Sequence, residues 1–245
     1  MPTTQLTFAS PTATRRGKQG HATAFRTTAP VMLLIDAIAK EENQTIAQIA
    51  YWSAGRIDAV LHLTSTDLLN NKVRYRIENS KTSSYHEVHQ TGSLQAYLET
   101  VALSIGPLFP AKRKGKAKPT AFYKFRKENG KTKRVKVGEK TRHVRSVSSF
   151  DYALNKAVER IILAPPDSYY DQMIETMPEV KASGRRSFHG VSSHSFRRSM
   201  AMYLFYTLDW DAALCMGVTG HKSLDAFYQY IDYKTDGLAA MMQAI

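Results

Sequence analysis

A second cysteine is missing: Cys215 stands alone among 245 residues, so no internal disulfide forms and no cysteine cluster offers a zinc site. A lone cysteine of this kind reads as a small, buried apolar residue. No run of eighteen apolar residues occurs, which leaves no segment to cross a membrane as a helix. The stretch from Met1 to Ala29 is rich in Thr, Ala and Arg and lacks the apolar core of a secretory signal. These absences point to a soluble, cytoplasmic protein with no membrane partner. Acidic residues are scarce too: 21 Asp+Glu face 34 Lys+Arg, a formal net charge of +13.

Hydrophobic residues make up 43% of the chain, enough for a packed core. The charge is concentrated rather than spread. Residues 111 to 145 hold 15 Lys+Arg and two acids, Glu128 and Glu139, which leaves 19 charges of each sign in the other 210 residues. One basic segment on a neutral body points to a polyanion contacted at a defined place. Its candidate phosphate-binding residues are Lys112, Arg113, Lys114, Lys116, Lys124, Arg126, Lys133, Arg134 and Lys136.

The pattern is mostly helical with a small antiparallel sheet, an α+β arrangement. Residues 1 to 28 read as a flexible arm. Pro30 suits the first turn of a helix, followed by helical apolar spacing over Val31 to Ala39. A second helix is expected over Thr45 to Ala54, stopping near Gly55. Two short strands follow, Val73 to Ile77 and Tyr85 to His89, turning at Asn79 to Ser84. Leu94 to Leu103 is helical. Within the basic segment, Phe122 to Arg126 and Arg134 to Val137 flank Asn129-Gly130, a dipeptide suited to a tight hairpin. An amphipathic helix over Val147 to Leu163 ends at Pro165-Pro166. Asp167 to Gly190 reads as a linker with one helix at most. Helices are expected over Ser195 to Leu208, Trp210 to Met216, Ser223 to Tyr230 and Leu238 to Ile245.

The C-terminal third carries the chemistry. His194 and Arg197 lie three apart at a helix start capped by Ser192-Ser193, so they share a face suited to a phosphate oxyanion. Gly220-His221-Lys222-Ser223 follows, and Tyr230 stands nine residues after His221. Here the sequence resembles the catalytic domain of tyrosine recombinases, the phage integrase family. That family carries H-x-x-R, then G-H-x-S, then a tyrosine nine residues beyond the second histidine. Gly55-Arg56-Ile57 through Leu61 and Leu63 resembles its earlier arginine box, and Lys81-Thr82 resembles its hairpin lysine. A tyrosine at one stated offset is roughly a one-in-twenty accident with 13 Tyr in 245 residues, so the weight rests on the whole set.

The resemblance implies a site-specific recombinase that breaks and rejoins double-stranded DNA through a 3′-phosphotyrosine, without metal, cofactor or ATP. Arg56 and Arg197 would hold the non-bridging oxygens, each forking two N–H bonds onto phosphate. A phenol with a pKa near ~10 needs help to lose its proton. His194 is the candidate base, His221 a phosphate ligand, and Lys81 the donor to the leaving 5′-hydroxyl. Tyr228 and Tyr233 compete with Tyr230 for the nucleophile's role. On a helix, however, Tyr228 points roughly 160° from Tyr230 and belongs to the core. Arg198 and Lys222 join the candidate DNA contacts.

Three features depart from the family pattern. Ala59 stands where relatives carry an acid after the arginine. The basic segment at 111–145 enlarges the gap between Lys81 and His194, as a DNA-gripping insertion that orders on binding would. No separate N-terminal core-binding domain fits in the 55 residues before Arg56. The catalytic domain would therefore span 29–245, in either a minimal recombinase or a fragment. A C-terminal helix at 237–245 would either pack on its own domain or be lent to a neighbour in a homotetramer on synapsed DNA. A type IB-like topoisomerase and a non-catalytic DNA-binding protein of the same fold remain alternatives.

Overall fold

The computed structural model describes residues 22–76, 85–103, 105–111 and 144–232, together with the backbone of 120–128 and 131–140. Lys81, Lys112, Arg113, Lys114, Lys116, Tyr233, the two expected turns and the 237–245 helix lie outside the described residues. No described helix is long and apolar enough to cross a membrane.

Ten α-helices and two separate antiparallel hairpins are described. Helices α1 (Thr28–Asp36) and α2 (Glu41–Trp52) come first, then the short α3 (Ile57–Val60). Strands β1 (Lys72–Tyr75) and β2 (His86–His89) pair in register Lys72↔His89 to Tyr75↔His86. Glu87 holds this pair together by accepting from Arg74, its direct opposite, at 3.0 Å and from Lys72 at 2.6 Å. Helix α4 (Gly92–Thr100) follows, capped by the Thr91 side chain. Strands β3 (Thr120–Glu128) and β4 (Lys131–Lys140) form the second hairpin, longer than the sequence pattern suggests and bulged between Phe122 and Tyr123. This insertion leaves and re-enters the body at one point. Pro110 bridges Val144, and the Arg145 N–H donates to the Phe109 carbonyl at 3.1 Å.

The core is built where helical periodicity puts it. In α5 (Val147–Ile162) the buried residues are Phe150, Leu154, Ala157 and Ile161, one stripe along the helix. Phe150 meets Phe196 of α8 (Ser193–Met202) edge-on at 6.0 Å, and α2, with Ile46, Ile49, Ala50 and Tyr51 buried, packs on α8. A π-turn over Tyr203–Thr207 continues α8, and α9 (Ala212–Thr219) and α10 (Leu224–Tyr230) close the described chain. Cys215 is fully buried, as its solitary state suggests.

Two expectations need correction. The segment 167–190 is not a linker: it forms α6 (Tyr169–Glu175), α7 (Pro178–Lys181) and a 3-10 turn over Gly184–Phe188. Arg185 binds the Asp171 carboxylate and the carbonyls of Ala164 and Pro165, tying these short pieces together. The arm expected over 1–28 is not flexible in its described part, 22–27. Phe25 is buried, its N–H donates to Ser199 Oγ at 2.9 Å, and the N–H groups of Arg26 and Thr27 donate to Glu179.

The end of α2 fixes the backbone just ahead of Arg56. Its chain reverses through Ala54, in the left-handed region at φ 48°, and the Gly55 N–H donates back to Ala50 at 2.9 Å. Glycine stands one place later than the left-handed position because the Tyr75 ring fills the space a Cβ would occupy, its Cζ 2.8 Å away. Gly55→Ala should therefore destabilise the fold by roughly 1–3 kcal/mol, the usual cost of overpacking. Ala54→Gly should be neutral or stabilising. Thermal unfolding measures both, and an unchanged Tm for Gly55→Ala would mean that Tyr75 does not press on this turn.

Candidate functional site

Arg197 is the centre of the site. The Ser192 N–H donates to Ser195 Oγ at 2.9 Å, which fixes the start of α8 and sets Arg197 in its second turn. Of the two residues expected to share a phosphate-binding face, only His194 is exposed, whereas Arg197 is 4% exposed and turned into the protein. Its Nη1 donates to the Ala54 carbonyl at 2.5 Å and its Nη2 to the Thr219 carbonyl. Among the described residues no carboxylate pairs with Arg197, and none pairs with Arg56. Burial, together with the Arg56 charge, lowers the Arg197 pKa to about 10 against a smaller opposing effect from Tyr230. It stays cationic at neutral pH.

The turn from α9 to α10 delivers the other groups. Gly220 ends α9 in the left-handed conformation at φ 67°, with its N–H donating to Met216 at 2.7 Å. A Cβ there would lie 3.4 Å from the His86 ring. Ser223 Oγ then caps α10 by accepting from Ala226 N–H, and Tyr230 is the last helical residue. The nine-residue offset is thus one turn plus one short capped helix. The His221 and Tyr230 rings lie 4.7 Å apart between centroids.

The protonation state of His221 is set by its neighbours. Thr219 Oγ1 donates its only proton to the Cys215 carbonyl at 2.9 Å, so its 2.7 Å contact with His221 Nδ1 needs Nδ1–H as donor. Burial, then Arg197 and Arg56, lowers the His221 pKa to about 4. A neutral ring with the proton on Nδ1 leaves a lone pair on Nε2, so Nε2 accepts a proton before it can donate one to a phosphate. The Tyr230 hydroxyl is buried and makes no aligned hydrogen bond. Burial raises its pKa, while Arg197, Arg198 and Arg56 pull the other way. The phenol is therefore protonated at rest, among three guanidinium charges.

Two residues change role. Arg198, read from sequence as a DNA contact, is 5% exposed and structural. It donates to the Tyr230 carbonyl at 2.6 Å, to the Ala22 carbonyl at 2.5 Å and to the Asp232 carboxylate, so it anchors the Tyr230 backbone. Being next to Arg197 on a helix turns it by about 100° onto another buried surface. His86 is the residue that sequence reasoning missed. From β2 its Nε2 meets the Val218 carbonyl at 2.8 Å, and burial and the two arginines lower its pKa against the pull of that carbonyl. No motif marks it, because its partner is a main-chain carbonyl 132 residues away. Tyr228 is partly buried beside Phe205, at 6.2 Å between centroids, and Lys222 is exposed. Among the described residues no group of three His, Cys, Asp or Glu could hold a metal ion.

No protein-family model matches the sequence, and no curated protein matches it either. Solved structures do. The XerA recombinase aligns with a TM-score of 0.50 at 13% identity, covering 94% of this chain and 66% of that chain. The catalytic domain of the bacteriophage HP1 integrase aligns at 0.48 and 12% identity, covering 90% and 94%. The Tn1549 transposon integrase, in complex with circular intermediate DNA, aligns at 0.49 and 11% identity, covering 91% and 66%. The chain thus has the fold of a tyrosine recombinase catalytic domain and spans just under two thirds of the XerA chain.

The half-buried neutral His221 has a thermodynamic signature. A folded pKa near 4 lies below the ordinary value of 6.5, so the unfolded chain binds the proton more readily. The stability contribution is complete above pH 6.5 and declines as pH falls toward 4. Thermal unfolding across that window should show a falling Tm, and His221→Gln should flatten the slope. A variant curve parallel to that of the unmodified protein would show that the ring is not held neutral.

Proposed function

We propose that the chain is a site-specific DNA recombinase that breaks and rejoins double-stranded DNA through a 3′-phosphotyrosine at Tyr230. The observation that carries this reading is the buried Arg197 guanidinium, which among the described residues has hydrogen bonds to carbonyls but no carboxylate, beside Arg56 and the Tyr230 phenol. Two guanidiniums without a described carboxylate partner, one buried and one partly buried, suit an anion, and a phosphodiester offers two non-bridging oxygens to fork onto. The charge that develops on phosphorus oxygens in the transition state would meet donors already in position.

In the proposed step Tyr230 Oη attacks phosphorus, the bond to the 5′-oxygen breaks, and the phenol loses its proton as the 5′-hydroxyl gains one. His221 Nε2, with its lone pair, suits the first transfer and could then donate to the phosphate; His194 on the first turn of α8 is the alternative acceptor. Lys81 is assigned the second transfer from its resemblance to the family's hairpin lysine. The phosphotyrosine keeps the bond energy, so a second DNA end can attack without ATP. Lys222 and the 111–145 insertion are assigned to the DNA backbone, and a homotetramer would form through the 237–245 helix.

A nicked suicide duplex should trap a covalent protein–DNA adduct without added metal. Tyr230→Phe should abolish the adduct and Tyr228→Phe should leave it; an adduct from Tyr230→Phe would sink the assignment. Plasmid relaxation without strand exchange would favour the topoisomerase alternative. Replacing Lys124, Lys133 and Lys136 together with alanine should weaken duplex binding and flatten its log–log salt dependence by about 0.9 for each phosphate no longer neutralised. An unchanged slope would remove the insertion from the DNA interface.

A further inference from the structure

A second cationic site lies at the other end of α2. Between the α1–α2 connection and the outer face of α5 is a cleft of about 320 Å³. Lys40, Arg145, Lys156 and Arg160 line it, with no acid in its wall, together with Asn43 and Tyr152. Asn43 and the turn before Arg56 are separated by most of α2, roughly 15 Å at 1.5 Å per residue. The cleft is thus distinct from the Arg197 site.

The cations are only partly neutralised. Glu42 meets Arg145 at 3.0 Å and Glu159 meets Lys156 at 2.6 Å. Arg160 donates to the Ala37 carbonyl at 2.7 Å, and among the described residues neither it nor Lys40 has a carboxylate partner. The Asn43 side chain is 2% exposed, yet its Oδ1 has no hydrogen-bond partner. A buried acceptor left without a partner is costly, and flipping the carboxamide would exchange it for an N–H donor. Tyr152, 67% exposed, sets an aromatic face at the rim, with Lys156 Nζ 6.0 Å from its centroid. Guanidinium, ammonium and amide donors around a ring fit a phosphate attached to a flat base.

We propose that this cleft binds a phosphate group of a nucleotide unit, with a DNA strand as its source. Arg145 is the last cation of the basic insertion, and its N–H is fixed to Phe109 where the insertion re-enters the body, so the cleft continues the insertion's charge. The choice of DNA rests on the function proposed for the Arg197 site; the phosphate chemistry does not.

The test uses the full chain carrying Tyr230→Phe, which cannot form an adduct, so it reads binding independently of cleavage. Lys40→Ala/Lys156→Ala should lower affinity for a fluorescent duplex several-fold at low salt and reduce the log–log salt slope by about one. Titration with dAMP and with inorganic phosphate separates the sources. Saturable dAMP binding that the double variant loses, with its duplex slope unchanged, would keep the phosphate site and overturn the DNA source. Unchanged binding of duplex, dAMP and phosphate would overturn the proposal. On a Tyr230 background, adduct formation reads the proposed cleavage separately from binding in the cleft. A missing adduct in every variant would count against the proposed cleavage and leave the cleft's result standing.

Discussion

The Arg197 guanidinium holds the site together by binding two helix ends at once. Ala54 follows α2 and Thr219 closes α9, so both carbonyls lie where helix dipoles concentrate negative charge. Arg56 follows the first carbonyl by two residues, and His221 follows the second by two. One side chain thereby sets the spacing of the groups around Tyr230. Partial charges can satisfy a guanidinium's N–H groups, but they do not cancel its formal charge. Removing such a charge from water costs several kcal/mol even after relaxation. Keeping it without a carboxylate makes sense where an anion is to be received.

The phenol's environment shows why arginines alone do not suffice. Burial raises the Tyr230 pKa by more than three guanidiniums lower it. A bound phosphate would also offset part of the arginines' help. In the cleavage proposed above, proton removal would accompany attack, which calls for a neutral acceptor within the site. The Cys215–Thr219–His221 chain of hydrogen bonds supplies one by dictating which imidazole nitrogen carries the proton. Arg198 addresses the other need, position, by fixing the Tyr230 main chain to 22 and 232 rather than by touching the phenol.

Sequence patterns revealed the parts of this site that depend on local geometry. The His221-to-Tyr230 offset is readable because Gly220 and Ser223 are residue types that end and begin helices. The α5 stripe is readable because four apolar residues recur at helical spacing. Helix α2 begins four residues before its apolar pattern, since Glu41 and Glu42 stabilise the first turn through charge rather than burial. Segment 167–190 was opaque for a related reason. Helices of four to seven residues carry too little periodicity, and the Arg185 contacts that order them reach 14 to 21 residues along the chain. His86 and, apart from its Asp232 ion pair, Arg198 are hard to read because their partners are main-chain carbonyls, which have no sequence signature.

The distribution of charge then takes on a structural meaning. The body is neutral by count, yet among the described residues Arg197 and Arg56 have no carboxylate partner, while acids such as Glu87, Glu179, Asp171 and Asp232 are used in ion pairs or hydrogen bonds that brace the fold. Neutrality in composition therefore conceals separation in space. The basic segment 111–145 leaves and rejoins the body where the chain returns on itself, Pro110 bridging Val144. Among the described residues acids brace the scaffold, whereas Arg197 is held by main-chain carbonyls instead.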